Sequence, residues 1–119
     1  MQKEFFDTIS KWFEIAEVGG ITLPDGWFGR PYDTLCRLTF LQVRPHKLLL
    51  ELDEQILLIF TEAKTVYVKS SELVVKDFEQ LVFDWQEFGS LQPHATIYKS
   101  GIVKFIPPIG VKVVLGKNK

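Results

Sequence analysis

Residues able to do chemistry are few in this chain, and their spacing does not gather them. Cys36 is the only cysteine, and the two imidazoles, His46 and His94, each follow a proline. A metal centre needs several ligands converging, commonly in short-spaced Cys or His pairs, and neither histidine has such a neighbour. Both are read as solvent-exposed loop residues, and no metal or other cofactor is expected. Cys36 stands at the entrance to a strand and reads as a small buried group. Its pairing with a distant histidine is the one nucleophilic arrangement available, since such partners need not be close in sequence. Among the carboxylates, Glu51, Asp53 and Glu54 surround one turn, while Asp77, Glu79, Asp84 and Glu87 decorate later strands. Acid–base work needs two carboxylates across a cleft in environments that separate their pKa values. Clustering at a hairpin tip serves solvation and edge protection instead. Gly19-Gly20 follows a helix rather than opening one, so it is no phosphate loop. No catalytic residue is assigned.

The least generic stretch is Leu23-Pro24-Asp25-Gly26-Trp27-Phe28-Gly29-Arg30-Pro31-Tyr32-Asp33. Pro24-Asp25-Gly26 is a turn with a mechanism: proline sets φ, Asp bonds the backbone ahead, and Gly accepts positive φ. Gly29 and Pro31 restrict the chain around Arg30. The candidate binding residues are therefore Trp27, Phe28, Arg30, Tyr32 and Asp33, because aromatic and Arg side chains carry much of the energy of protein interfaces. The competing structural reading makes Trp27 and Phe28 a plug beneath a long connection, with Arg30 paired to Asp33 or to carbonyls. Catalysis by this loop ranks last.

The elements that must position these residues follow from periodicity. Phe5, Phe6, Ile9, Trp12, Phe13 and Ala16 share one side of a helix over residues 2 to about 17, opposite Lys3, Glu4, Asp7, Lys11 and Glu14. Gly19-Gly20 is expected to stop it. Docking of this aromatic stripe onto the domain's own sheet is favoured over a detached groove-binding helix, which would leave the aromatics in water. Beyond it the period becomes 2. Residues 38–43, 47–52 and 56–60 read as strands, the last two forming a central hairpin with apolar residues on both faces. A loop longer than two residues is expected at Asp53-Glu54. Strands follow at 65–69 and 73–75 around Ser70-Ser71, and at 81–86, with Leu81, Phe83 and Trp85 on one face. Gly89 and Pro93 bracket a loop. A late hairpin from 95–99 to 102–106 would turn at Ser100-Gly101, and 110–115 offer a short edge strand.

Apolar residues make up 46% and charged residues 24% of the 119-residue chain, an ordinary globular composition. One domain is expected: a helix at 1–18, a structured loop at 19–35, sheet over 36–115 and a frayed tail at 116–119. The fold class is α+β, with the helix packed on a curled, mainly antiparallel sheet or partial barrel of about seven strands. Fifteen acidic against fourteen basic residues leave a net charge of −1, which provides no field for nucleic acid or an anionic membrane. The most apolar window, 48–60, is too short and too charged to span a bilayer. With a single cysteine and no basic, apolar leader, a cytoplasmic location is expected.

The string Trp27-Phe28-Gly29-Arg30-Pro31-Tyr32-Asp33, together with Phe83-Asp84-Trp85-Gln86-Glu87-Phe88-Gly89, resembles small uncharacterised proteins common in bacterial genomes. That resemblance implies no activity and transfers no functional residue. The function expected from the residues is a non-enzymatic protein-interaction module, inhibitor- or immunity-like or homodimeric, in which the second apolar face of the central strands is what needs a cover. The alternative is a small-molecule-binding domain with a pocket near the Trp27–Asp33 loop, and third comes a hydrolase-like enzyme using Cys36 or the carboxylates.

Overall fold

A computed structural model describes residues 2–25, 35–85 and 94–115. Its elements are α1 (Gln2–Ala16) and nine strands: β1 (Gly20–Thr22), β2 (Leu38–Val43), β3 (Lys47–Leu52), β4 (Ile56–Thr61), β5 (Thr65–Lys69), β6 (Glu72–Lys76), β7 (Gln80–Trp85), β8 (His94–Tyr98) and β9 (Ile102–Ile106). The strands form two sheets, ordered β1-β9-β6-β5 and β2-β3-β4-β7-β8. Every pairing is antiparallel. The α+β class and the antiparallel pairing are as read from the sequence. The single curled sheet of about seven strands is replaced by two unclosed sheets.

Alternation explains how the two layers meet. Leu48, Leu50 and Leu52 on β3, Ile56, Leu58 and Phe60 on β4, and Leu81 and Phe83 on β7 are buried on one face of the five-stranded sheet. Leu73 and Val75 on β6, with Val103 and Phe105 on β9, supply the facing layer of the same core. Helix α1 touches β2 and β5, an edge strand of each sheet, and so bridges the side where the sandwich would stand open. Ile9, Trp12, Phe13 and Ala16 point into the core, whereas Phe6 at the margin of the stripe is 43% exposed.

The stops and turns rest on non-glycine residues in the left-handed conformation as much as on glycines. Helix α1 ends at Glu17, which itself takes the left-handed conformation at φ 71° and bonds Phe13 O through its N–H at 2.8 Å. The glycines after it do other work. A Cβ at Gly19 would lie 2.7 Å from the Trp12 ring, and Gly20 opens β1 inside a segment read as loop. The β3–β4 loop is three residues long, with Leu52 facing Ile56 and Asp53 and Glu54 at φ 53° and 57°. Ser70 and Ser71, at φ 53° and 69°, form the two-residue turn of the β5–β6 hairpin, the primed geometry that matches strand twist.

Two readings are corrected. Residues 94–98 and 102–106 are strands but not a hairpin: β8 pairs with β7 in one sheet and β9 lies between β1 and β6 in the other. Gly101 sits at φ 133°, far from the roughly +60 to +90° of hairpin turns, and carries the chain from one layer to the other. Residues 111–115 form no strand. Val113 is instead buried, and its N–H donates to Ser71 Oγ at 3.0 Å, so the segment seals the β5–β6 end of the core. A Cβ at Gly101 would fall 2.5 Å from Pro24 Cβ. Gly101→Ala is therefore expected to cost roughly 2 kcal/mol through clash and positive φ together, read as a lowered urea midpoint. An unchanged midpoint would show that the crossover is not locked there.

Candidate interaction face

The two sheets differ in what they present outward. Register sets the outer side chains of the five-stranded sheet in rows. One row runs Gln42, Leu49, Ile59, Val82, Ile97 across the five strands. Beside it runs Phe40, Glu51, Leu57, Asp84, and on its other side Lys47, Thr61, Gln80. Phe40, Leu49, Leu57, Ile59, Val82 and Ile97 belong neither to the core nor to the partly buried side chains packed against it. Phe40 and Ile97, near opposite edges, are 47% and 61% exposed, and the four between them are half-buried. Cross-strand neighbours lie about 5 Å apart, so these side chains shield one another without being covered by the core.

The four-stranded sheet shows the ordinary arrangement by contrast. Its outer face carries Lys76, whose Nζ stands 5.5 Å from the centre of the Tyr67 ring, and Lys104 paired with Glu72 at 3.9 Å. Val74 lies between Tyr67 and Lys104 in that row and is buried by such long side chains, whose stems cover apolar surface while their charges stay in water. Among the described residues, the outer face of the four-stranded sheet interleaves charged side chains with apolar ones, Ile102 being 46% exposed beside Lys76, whereas the row on the five-stranded sheet is apolar across four consecutive strands.

The residues with chemical potential are placed as follows. Cys36 is buried, and burial first, then the charge and hydrogen bond of Asp53, push its thiol up to about 12. Asp53 also accepts from Arg37 N at 2.9 Å, so the thiol belongs to a clasp between the chain entering β2 and the β3–β4 turn. A thiol held protonated is a poor nucleophile. His46 is exposed, and its Nδ1 lies 2.6 Å from Glu62 Oε2. Glu62 N also donates to His46 O at 2.8 Å, tying the β2–β3 turn to the end of β4. A carboxylate-held imidazole is half of an acid–base device. The adjoining cleft of about 350 Å³ holds Phe5, Arg44, Lys47 and Lys64 on its walls, and among the described residues no hydroxyl or thiol lines it. Pairing of Lys47 with Thr61 brings residues 46 and 62 opposite, a consequence of loop length that separate inspection of either residue does not reveal.

Tyr98 O–H donates to Asp25 Oδ2 at 3.2 Å, and burial, then this bond and its charge, raise the phenol's pKa. Asp25 is thus tied to β8. The candidate binding residues Trp27, Phe28, Arg30, Tyr32 and Asp33 lie outside the described residues, as do Gly89, Pro93 and residues 116–119, expected to be a frayed tail. Among the described residues no three or more His, Cys, Asp or Glu gather as a metal site, and no helix is long and apolar enough to cross a membrane. No protein-family model, curated protein or solved structure matches the chain.

Proposed function

We propose that this domain is a non-enzymatic protein-interaction module of a bacterial cytoplasm that docks through the outer face of its five-stranded sheet. The observation that carries this reading is the row Leu49, Ile59, Val82, Ile97, flanked by Phe40 and Leu57, lying outside the core. A contiguous apolar patch on a sheet face marks an interaction surface more often than a solvent-facing one. Glu51 and Asp84 in the adjacent row add the polar margin that distinguishes a docking face from a core. The protonated thiol of Cys36 argues against its use as a nucleophile, and as a buried, single cysteine it suits a reducing compartment.

The test compares the wild-type chain with Phe40→Ser/Ile97→Ser. Both positions are the most exposed apolar ones of the face, so the fold should keep its stability to within about 0.5 kcal/mol. Self-association by sedimentation and capture of partners from source-cell extract should fall at least tenfold. Lys76→Ala/Lys104→Ala, on the opposite sheet, should leave both intact. Association indifferent to Phe40 and Ile97 would remove the reading.

A further inference from the structure

Resting on the reading of this face as a docking surface, we infer that its occupant is a second copy of the same chain, stacked face to face about a two-fold axis that runs along the apolar row. The argument is one of charge register. On β3 the outward side chains are Lys47, Leu49 and Glu51, and Leu49 lies in the apolar row between the two charges. An in-plane two-fold along that row keeps each strand over its own counterpart and reverses its direction. Leu49, Ile59, Val82 and Ile97 then meet their own equivalents, as an isologous interface requires. Lys47 comes over Glu51 of the second copy, and Glu51 over its Lys47, so two ion pairs flank the apolar centre. Asp84 comes over Gln80, a residue able to donate to it.

The other in-plane two-fold fails on the same residues. An axis parallel to the strands through β4 lays β3 over β7, which sets Glu51 against Asp84 of the second copy twice over. Like charges facing across an interface oppose association. Sheets stacked face to face cross at about 30°, and the long Lys47 stem absorbs that offset. Five strands about 4.8 Å apart, four of six residues and one of five, present roughly 460 Å² per copy. The total, about twice that area, is at the lower limit for specific interfaces, so the dimer should form in the micromolar range and dissociate on dilution.

The decisive experiment uses two variants, Lys47→Glu and Glu51→Lys, in the full chain. Within one copy these positions are four residues apart on a strand, about 13 Å, and cannot pair, so any compensation between them acts across copies. Each variant alone should associate at least tenfold more weakly than wild type in sedimentation. Mixed one to one, they should form a heterodimer within about threefold of the wild-type Kd, because each then meets its opposite charge at both positions. Circular dichroism and thermal melting verify that each variant is folded. If one variant does not fold, Lys47→Glu/Glu51→Lys in a single chain replaces the mixture and should dimerise like wild type. A mixture no tighter than its components overturns the axis assigned here. Wild type that stays monomeric up to millimolar concentration overturns the dimer. In that case, loss of another protein's binding in Phe40→Ser/Ile97→Ser preserves the docking face, and binding unaffected by that change removes both readings.

Discussion

Trp12→Ala should lower the stability of this domain by about 3–5 kcal/mol, the range for removing a large buried aromatic. Trp12 is fully buried. Its indole N–H donates to Ser71 O at 2.8 Å, and its ring meets Phe13 and Phe105 at centroid distances of 4.8 and 6.4 Å. Its far edge fills the space that a side chain at Gly19 would take. One residue thus joins the helix, the β5–β6 turn, the centre of the four-stranded sheet and the chain leading into β1. Domains of this size have about 5–15 kcal/mol in total, so the variant should melt roughly 10–25 °C below wild type. Trp12→Phe keeps most of the apolar area but leaves Ser71 O without its donor, for about 1–3 kcal/mol. The check is thermal and urea denaturation of all three proteins. A Trp12→Ala protein melting within a few degrees of wild type would mean that the helix does not hold the two sheets together.

The second large effect appears in alkali. Cys36 has its thiol raised from the ordinary 9.0 to about 12 by burial and by Asp53. The sign follows from which state releases the proton first. Below pH 9 the thiol is protonated folded or unfolded, and the stabilisation is fully present. Above pH 9 the unfolded chain ionises while the folded one does not, so stability falls by about 1.4 kcal/mol per pH unit. The loss reaches about 3–4 kcal/mol near pH 12, where the folded thiol itself ionises. Tyr98, whose pKa is also raised, contributes with the same sign, so wild type alone does not isolate the cysteine. Cys36→Ser retains a donor for Asp53 and does not ionise in this range. Urea titrations from pH 8 to 11.5 should show wild type losing stability steeply and Cys36→Ser losing it more slowly. Parallel decline of the two would show that the folded protein does not hold the thiol protonated above its ordinary range. The same thiol should react with a disulfide reagent at pH 8 far more slowly in the folded protein than in urea.

These two residues also mark how far sequence reasoning reached. The burial of Trp12 was legible because Ile9, Trp12, Phe13 and Ala16 recur at helical spacing, and a stripe that apolar must be covered. Its bond to Ser71 was not, since the partner is a backbone carbonyl 59 residues away. Cys36 was legible as a small buried group at a strand entrance. Its dependence on Asp53 was hidden, because that carboxylate sits on an acidic hairpin tip whose composition speaks only of solvation. The apolar second face of the central hairpin stood out as alternation broken by Leu49, Leu57 and Ile59. Its extension to Val82, Ile97 and Phe40 required the strand order, which places β7, β8 and β2 around that hairpin.

The amino-acid pattern by itself determined the helix and most of the strands, though not β1 or the unpaired 111–115 segment, together with the central position of the 47–60 hairpin, its longer loop, and the existence of two apolar faces. Those properties depend on neighbours two to four residues apart, and the 3.6 and 2.0 periods report them directly. Tertiary structure alone decided that 94–98 and 102–106 part into different sheets, that β1 joins β9 across more than eighty residues, and that Lys47 and Glu51 flank a continuous apolar row. A strand with one apolar side satisfies its pattern in either sheet. What selects between them is the packing of the whole core and the register of every ladder at once, energies that no local window contains.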